Sequence, residues 1–200
     1  MMRNTTRMLS TLGGAAAALS FLLVSGRAAA QEEVQIVAFT HAGSGCPAGT
    51  VGHVFDDVNN KLTLNFDQFG VRLPPGESRN CAVSFVVRVP SRLQVSLNRV
   101  EYLGYADTEP GVFGRLWRRY KYGNNAPLSL ERRLTPGSVG DYYIVDEFPG
   151  WSVCTDQVTV NTNVRIDLGG TPSGAHMNEM VVDTIQYDSK LVYQFAFRGY

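Results

Sequence analysis

Two antiparallel β-sheets packed as a sandwich are the fold the sequence predicts, and three features point to it. Apolar and polar residues alternate with period two through most of the chain, which places successive side chains on opposite faces of strands. Clusters of Gly, Asn, Asp and Pro separate the alternating runs, as hairpin connections require. After the first thirty residues, no segment carries apolar side chains at helical spacing over three turns. Strands with one dry and one wet face bury the dry face against a second sheet; a closed barrel is the alternative architecture.

About ten strands follow from the pattern. The first spans Val34 to Thr40, and the second has Leu62, Leu64 and Phe66 on one face and Lys61, Thr63, Asn65 and Asp67 on the other. Asn59-Asn60 before it suits a type I′ turn, because Asn tolerates positive φ. The third has Val83, Phe85, Val87 and Val89 on one face; its second face, with Ala82, Ser84 and Val86, is also fairly dry, which places it inside a sheet. Leu93, Val95 and Leu97 begin a fourth whose alternation slips at Val100, so a bulge or bend is expected there. Gly111 to Tyr122 and Leu128 to Leu134 are joined by Gly123-Asn124-Asn125, and Asp141 to Phe148 follows. The longest run has Val158, Val160, Thr162, Val164, Ile166 and Leu168 on one face, with Thr159, Asn161, Asn163, Arg165 and Asp167 on the wet one. Met180 to Tyr187 and a run with Leu191, Tyr193, Phe195 and Phe197 in phase complete the set, joined at Asp188-Ser189. Leu73 to Asn80 and Gly169 to Gly174 read as irregular loops from their Pro and Gly content.

Residues 1–30 read as a cleavable export signal: Arg3 and Arg7, an apolar stretch from Leu9 through Val24, and Ala28 to Ala30 before Gln31. The stretch is too rich in Gly, Ala and Ser to serve as a membrane span, and no later segment is long and apolar enough. Residues 31–200 are then expected to form one β-sandwich domain, secreted to the exterior, or to the periplasm in a Gram-negative cell. Arg3, Arg7 and Arg27 leave with the signal, so 15 basic residues face 18 acidic ones in the mature chain. Nothing in that balance favours nucleic acid as a partner, since a binder needs a concentrated positive surface, and none is expected. An oxidising compartment pairs cysteines. Cys46, Cys81 and Cys154 allow three pairings, of which Cys46 with Cys81 closes the shorter loop.

Several blocks occur in a fixed order: Gly43-Ser44-Gly45-Cys46-Pro47-Ala48-Gly49-Thr50-Val51, Leu64-Asn65-Phe66-Asp67-Gln68-Phe69, Arg79-Asn80-Cys81, Glu101-Tyr102-Leu103-Gly104-Tyr105-Ala106 and Tyr193-Gln194-Phe195-Ala196-Phe197-Arg198. In these the chain resembles the secreted "domain of unknown function 4360" family of small exported proteins of fungi and bacteria. The resemblance runs from about Val34 to the end and implies export and a β architecture, with no catalytic residues. Members of that family commonly end in a cysteine after the last strand, whereas this chain ends Arg198-Gly199-Tyr200. If the missing partner is that of Cys154, the resemblance implies a Cys46–Cys81 disulfide.

The chemical constellations are sparse. His41, His53 and His176 lie in different segments, and their spacing to Cys46, Asp56 and Asp57 matches no metal-ligand pattern, so no metal or other cofactor is expected. No Gly-x-Ser-x-Gly elbow, phosphate loop or dinucleotide fingerprint occurs. Carboxylates at Asp56, Asp57, Asp67, Asp141, Asp146, Glu147 and Asp183 could supply a facing pair for glycoside hydrolysis. Adjacent acids such as Asp146 and Glu147 point to opposite faces of a strand and make poor partners. On a strand, Arg115, Trp117, Arg119 and Lys121 share one face and Leu116, Arg118, Tyr120 and Tyr122 the other; either could offer aromatic rings beside cations. With Trp151 on the Pro149-Gly150 loop, the candidate ligand surface comprises Trp117, Arg119, Tyr120 and Trp151. The expected function is a non-enzymatic extracellular binding or structural module, its partner a polysaccharide or cell-surface component. A small secreted hydrolase using a carboxylate pair is the alternative.

Overall fold

The computed structural model describes residues 34–74, 76, 78–90, 93–182 and 191–199. The expected export signal, the Asp188-Ser189 turn and the second half of the Met180–Tyr187 run lie outside the described residues.

The chain forms an all-β sandwich without barrel closure. Twelve strands are present among the described residues: β1 (Gln35–Ala42), β2 (Val51–Asp56), β3 (Lys61–Phe66), β4 (Gly70–Leu73), β5 (Ser78–Arg88), β6 (Leu93–Asp107), β7 (Val112–Tyr122), β8 (Leu128–Arg133), β9 (Val139–Glu147), β10 (Gln157–Gly170), β11 (Asn178–Val181) and β12 (Leu191–Gly199). One sheet has five strands in the order β1-β5-β10-β7-β8. The other has seven, β2-β3-β12-β6-β11-β4, with β9 on the far side of β6. Every pairing is antiparallel.

The core is built from the dry faces that the alternation marks. Along β10, Val158, Val160, Thr162, Val164, Ile166 and Leu168 are all buried. From β5 come Cys81, Val83, Phe85 and Val87; from the opposing sheet come Leu62, Leu64, Phe66, Val95, Leu97, Val100, Tyr102 and Met180. Removing this apolar area from water is the main driving force for folding. The slip in β6 is a bulge: Gln194 pairs with Arg99 and Phe195 with Leu97, so Asn98 is the extra residue. It lets Leu97 and Val100 both face the core at 0% exposure.

The short β4 exceeds the expected set, β2 fills the strand-like run that the Asn59-Asn60 turn implies before β3, and the loops shrink accordingly. Leu73 ends β4 and Ser78 begins β5, so the supposed irregular loop from Leu73 to Asn80 is regular at both ends. Gly169 and Gly170 still pair with Phe113 and Val112. Gly170 sits at φ 112°, and a Cβ there would lie 2.0 Å from the Gly111 carbonyl oxygen, so glycine is what lets the two chains meet. The β2–β3 turn is not the two-residue type I′ form. Asp56 pairs with Lys61 across a four-residue loop, only Asn60 among its residues has positive φ, and the Asp56 carboxylate accepts from the Asn59 backbone and side chain.

A polar clip secures the loop between β10 and β11. Asn178, fully buried, accepts from the Glu109 backbone N–H at 2.8 Å and donates to Leu73 O and the Glu109 carboxylate. Glu109 also accepts from the Ser173 backbone and hydroxyl. Hydrogen bonds from Ser173 and then Asn178 favour the charged carboxylate and hold Glu109 below its ordinary 4.5. A group depressed in the folded state contributes stability above its ordinary value and loses it as pH falls through the lower folded value. Glu109→Gln is therefore expected to lower the melting temperature at neutral pH. Below pH 4.5 the gap from wild type should close progressively, which melts across an acid series would reveal.

Candidate functional site

Because β5, β10 and β7 send their dry residues inward, their alternate residues form a continuous outer face on the five-stranded sheet. Register fixes its rows. Thr40, Ser84, Asn161 and Lys121 stand opposite one another across β1, β5, β10 and β7. The next row is Ala42, Ala82, Asn163, Arg119 and, on β8, Ser129. Then come Arg165, Trp117 and Glu131, followed by Asp167, Arg115 and Arg133. Opposed side chains on one sheet face lie about 5 Å apart, close enough for a ligand to touch several rows.

A trough of about 430 Å³ lies over Ala82, Ser84, Asn161 and Asn163, beside the longer Arg119 and Lys121. Arg119, Lys121 and Pro127 wall it on one side, and Thr40 and Ala42 on the other. A second hollow of about 230 Å³, bounded by Arg115, Trp117, Glu131, Arg165 and Asp167, occupies the next two rows of the same strands. There the charges are paired. Asp167 accepts from Arg115 at 2.8 Å and lies 3.5 Å from Arg165. The Asp167 hydrogen bond and charge raise the Arg115 pKa further above its already high value. Asn163 Oδ1 in the trough is buried and has no hydrogen-bond partner among the described residues. An unsatisfied buried acceptor costs roughly 1–3 kcal/mol.

The four aromatic and cationic residues singled out from the sequence do not form one surface. Trp117 and Arg119 share the outer face, as their spacing implies. Tyr120 does not, because alternation turns it into the core at 1% exposure. Its hydroxyl donates to Asp146 at 2.5 Å and bonds Tyr102, and burial, aided by the neighbouring Tyr102 and Asp146, drives its pKa upward. Trp151 belongs with the seven-stranded sheet, where Arg198 stacks 4.3 Å from its ring centre. The neighbouring Ser152 binds Val95 at the start of β6, and Gly150 accepts from Ser96. Lys121 joins Arg119 on the face that the spacing assigned to both, while Asn161, Asn163 and Ser84 enter the candidate site unforeseen. Their signal was the wet face of the β7 and β10 alternation, which identifies solvent-facing residues without showing that a trough lies between them.

The histidines are dispersed. Phe39 stacks on His53 at 4.2 Å, His41 bonds the Cys46 carbonyl, and His176 pairs with Asp107. Among the described residues, no three or more His, Cys, Asp or Glu side chains come together as metal ligands would.

Fold and site together define an antiparallel β-sandwich with a ligand-sized trough on one sheet face. The chain belongs to the family described as Domain of unknown function (DUF4360), whose model matches residues 32–199. An uncharacterized secreted protein of Arthroderma benhamiae is 32% identical over 160 residues, covering 75% of this chain. The chain spans 65% of that relative's length. Secretion, the compartment expected from the sequence, is also that of this relative. Among solved structures, TmCBM61 in complex with β-1,4-galactotriose is similar at 15% identity and a TM-score of 0.34, over 82% of this chain and 90% of that one.

Proposed function

We propose that the protein, released by removal of residues 1–30, is a non-enzymatic extracellular module that binds polysaccharide along the outer face of its five-stranded sheet. The observation that carries this reading is the trough itself. Its floor offers amides and hydroxyls from Asn161, Asn163, Ser84 and Thr40, which suit sugar hydroxyls, and the half-buried Trp117 offers an indole in the adjoining hollow. Two carboxylates, Asp56 and Glu109, are held below their ordinary values by hydrogen bonds, whereas a general acid needs a raised pKa; Asp146 and Asp167 are engaged by arginines, Asp146 by Arg118 and Asp167 by Arg115 and Arg165.

The test is retention of residues 31–200 on an array of cell-wall and extracellular polysaccharides, with release of soluble sugar assayed in the same wells. Retention without release is expected. Trp117→Ala should weaken it by about tenfold, in line with loss of an aromatic anchor. Trp151→Ala, on the other sheet, should leave it unchanged. Sugar release abolished by one acidic substitution would replace the binding module with a hydrolase.

A further inference from the structure

We propose that the trough selects acidic polysaccharides, with anionic groups repeated along the chain seated on Arg119 and Lys121; this rests on the reading of the trough as a polysaccharide site. Charge is distributed unevenly along the β7–β10 ladder. In the Trp117 hollow, Arg115 and Arg165 are answered by Asp167 and Glu131. In the next two rows, no carboxylate among the described residues answers the cations. Arg119 stands between Asn163 and Ser129, and Lys121 stands beside Asn161. Both are exposed, and neither pairs with a carboxylate among the described residues. Glu131, one row from Arg119, lies opposite Trp117 and bears on Arg115.

Arg119 and Lys121 are two residues apart on one strand, so their Cα atoms are about 7 Å apart and both side chains leave the same face. Such a pair meets two anionic groups on one extended ligand, or one group from both sides. Arginine adds the planar fork that binds carboxylate or sulfate oxygens through two N–H donors. The neutral floor completes the selection. Asn161, Ser84 and Thr40 supply hydrogen bonds without a carboxylate that would repel the ligand. Two cations beside one indole are too few for the many phosphate contacts of nucleic acid.

The experiment measures binding of residues 31–200 to polygalacturonate and κ-carrageenan, with galactan and agarose as their neutral counterparts. Retention on at least one acidic polymer should exceed that on its counterpart by at least tenfold and fall as salt rises, because exposed ion pairs are screened. Which acidic polymer binds distinguishes uronate from sulfate. The double variant Arg119→Gln, Lys121→Gln should lose about tenfold in retention with unchanged melting, and Arg119→Lys in the wild-type background should retain most binding. Equal retention on neutral and acidic polymers, or a double variant that binds as wild type, would overturn the acidic preference while leaving the polysaccharide module intact. No retention on any of the four polymers by a folded protein would overturn both.

Discussion

Asp146→Ala should destabilise the protein by about 3–5 kcal/mol, because it strands a buried cation. Arg118 projects from β7 into the space between the sheets at 3% exposure, and Asp146 meets it from β9 at 5%. The pair is bidentate, with Nε donating to Oδ2 at 2.9 Å and a terminal nitrogen donating to Oδ1 at 2.5 Å. The other guanidinium nitrogen donates to Leu116 O, Tyr120 donates to the same carboxylate, and Tyr102 bonds Tyr120. Burial alone would lower the Arg118 pKa, yet the hydrogen bonds and charge of Asp146 outweigh it and the pKa is raised. Without Asp146, the guanidinium keeps one carbonyl and the weak attraction of the Tyr102 ring, 5.7 Å from its centre.

Total stabilities of about 5–15 kcal/mol make such a loss visible as a large fall in urea midpoint. The paired replacement Arg118→Met, Asp146→Leu separates the net value of the ion pair from the cost of breaking it. Apolar isosteres of a buried pair are often neutral or stabilising, although here the Tyr120 hydroxyl would also lose an acceptor. The expected order is therefore wild type, then the double variant, then Asp146→Ala as the least stable. An Asp146→Ala midpoint within experimental error of wild type would show that water reaches the guanidinium and that the network carries no weight in the core.

This network also marks where the sequence ceases to be legible. Alternation identifies the inward set of β7 as Leu116, Arg118, Tyr120 and Tyr122, but a cation in an inward register reads equally well as an edge residue with its face to solvent. Only the partner on β9, 28 residues away, decides between them. Within strands the signal is strong, because a one-residue slip would expose an entire dry face. That is why β10 and the β6 bulge are predictable, while the four-residue β4 is not and β2, with Gly52 and exposed Val54, is signalled only by the turn that follows it. The candidate site divides the same way. Trp117 and Arg119 are visible from local spacing, whereas the trough depends on which small residues of β5 and β10 become their neighbours, a property of strand order. Trp151 misled for the same reason, since a loop residue carries no periodicity to assign it to a sheet.

Replacing both Cys46 and Cys81 with Ala is expected to cost about 4 kcal/mol, from the unfolded-state entropy of a loop of this size. The two residues lie 35 apart in sequence, with Cα atoms at 5.3 Å, and both are fully buried. Their position makes the link consequential beyond chain entropy. β1 belongs to the five-stranded sheet and β2 to the seven-stranded one, so the segment between them crosses from one sheet to the other. The disulfide fixes that crossing to β5, together with the Gly45 N–H to Asn80 O bond at 2.9 Å and the contacts of Ser44 with Asn80. Gly43 packs so closely that a Cβ would fall 2.1 Å from Asn80 O. In the variant hydrogen bonds such as these and the His41–Cys46 carbonyl bond must hold the crossing, and β1, an edge strand of its sheet among the described residues, should loosen with it. Urea titrations with and without reductant test both parts: reductant should move the wild type toward the double variant and leave the variant where it is. The native protein should meanwhile titrate a single thiol, the exposed Cys154. Two or more reactive thiols in the native state, or a variant as stable as wild type, would show that the crossing is held by packing and hydrogen bonds instead.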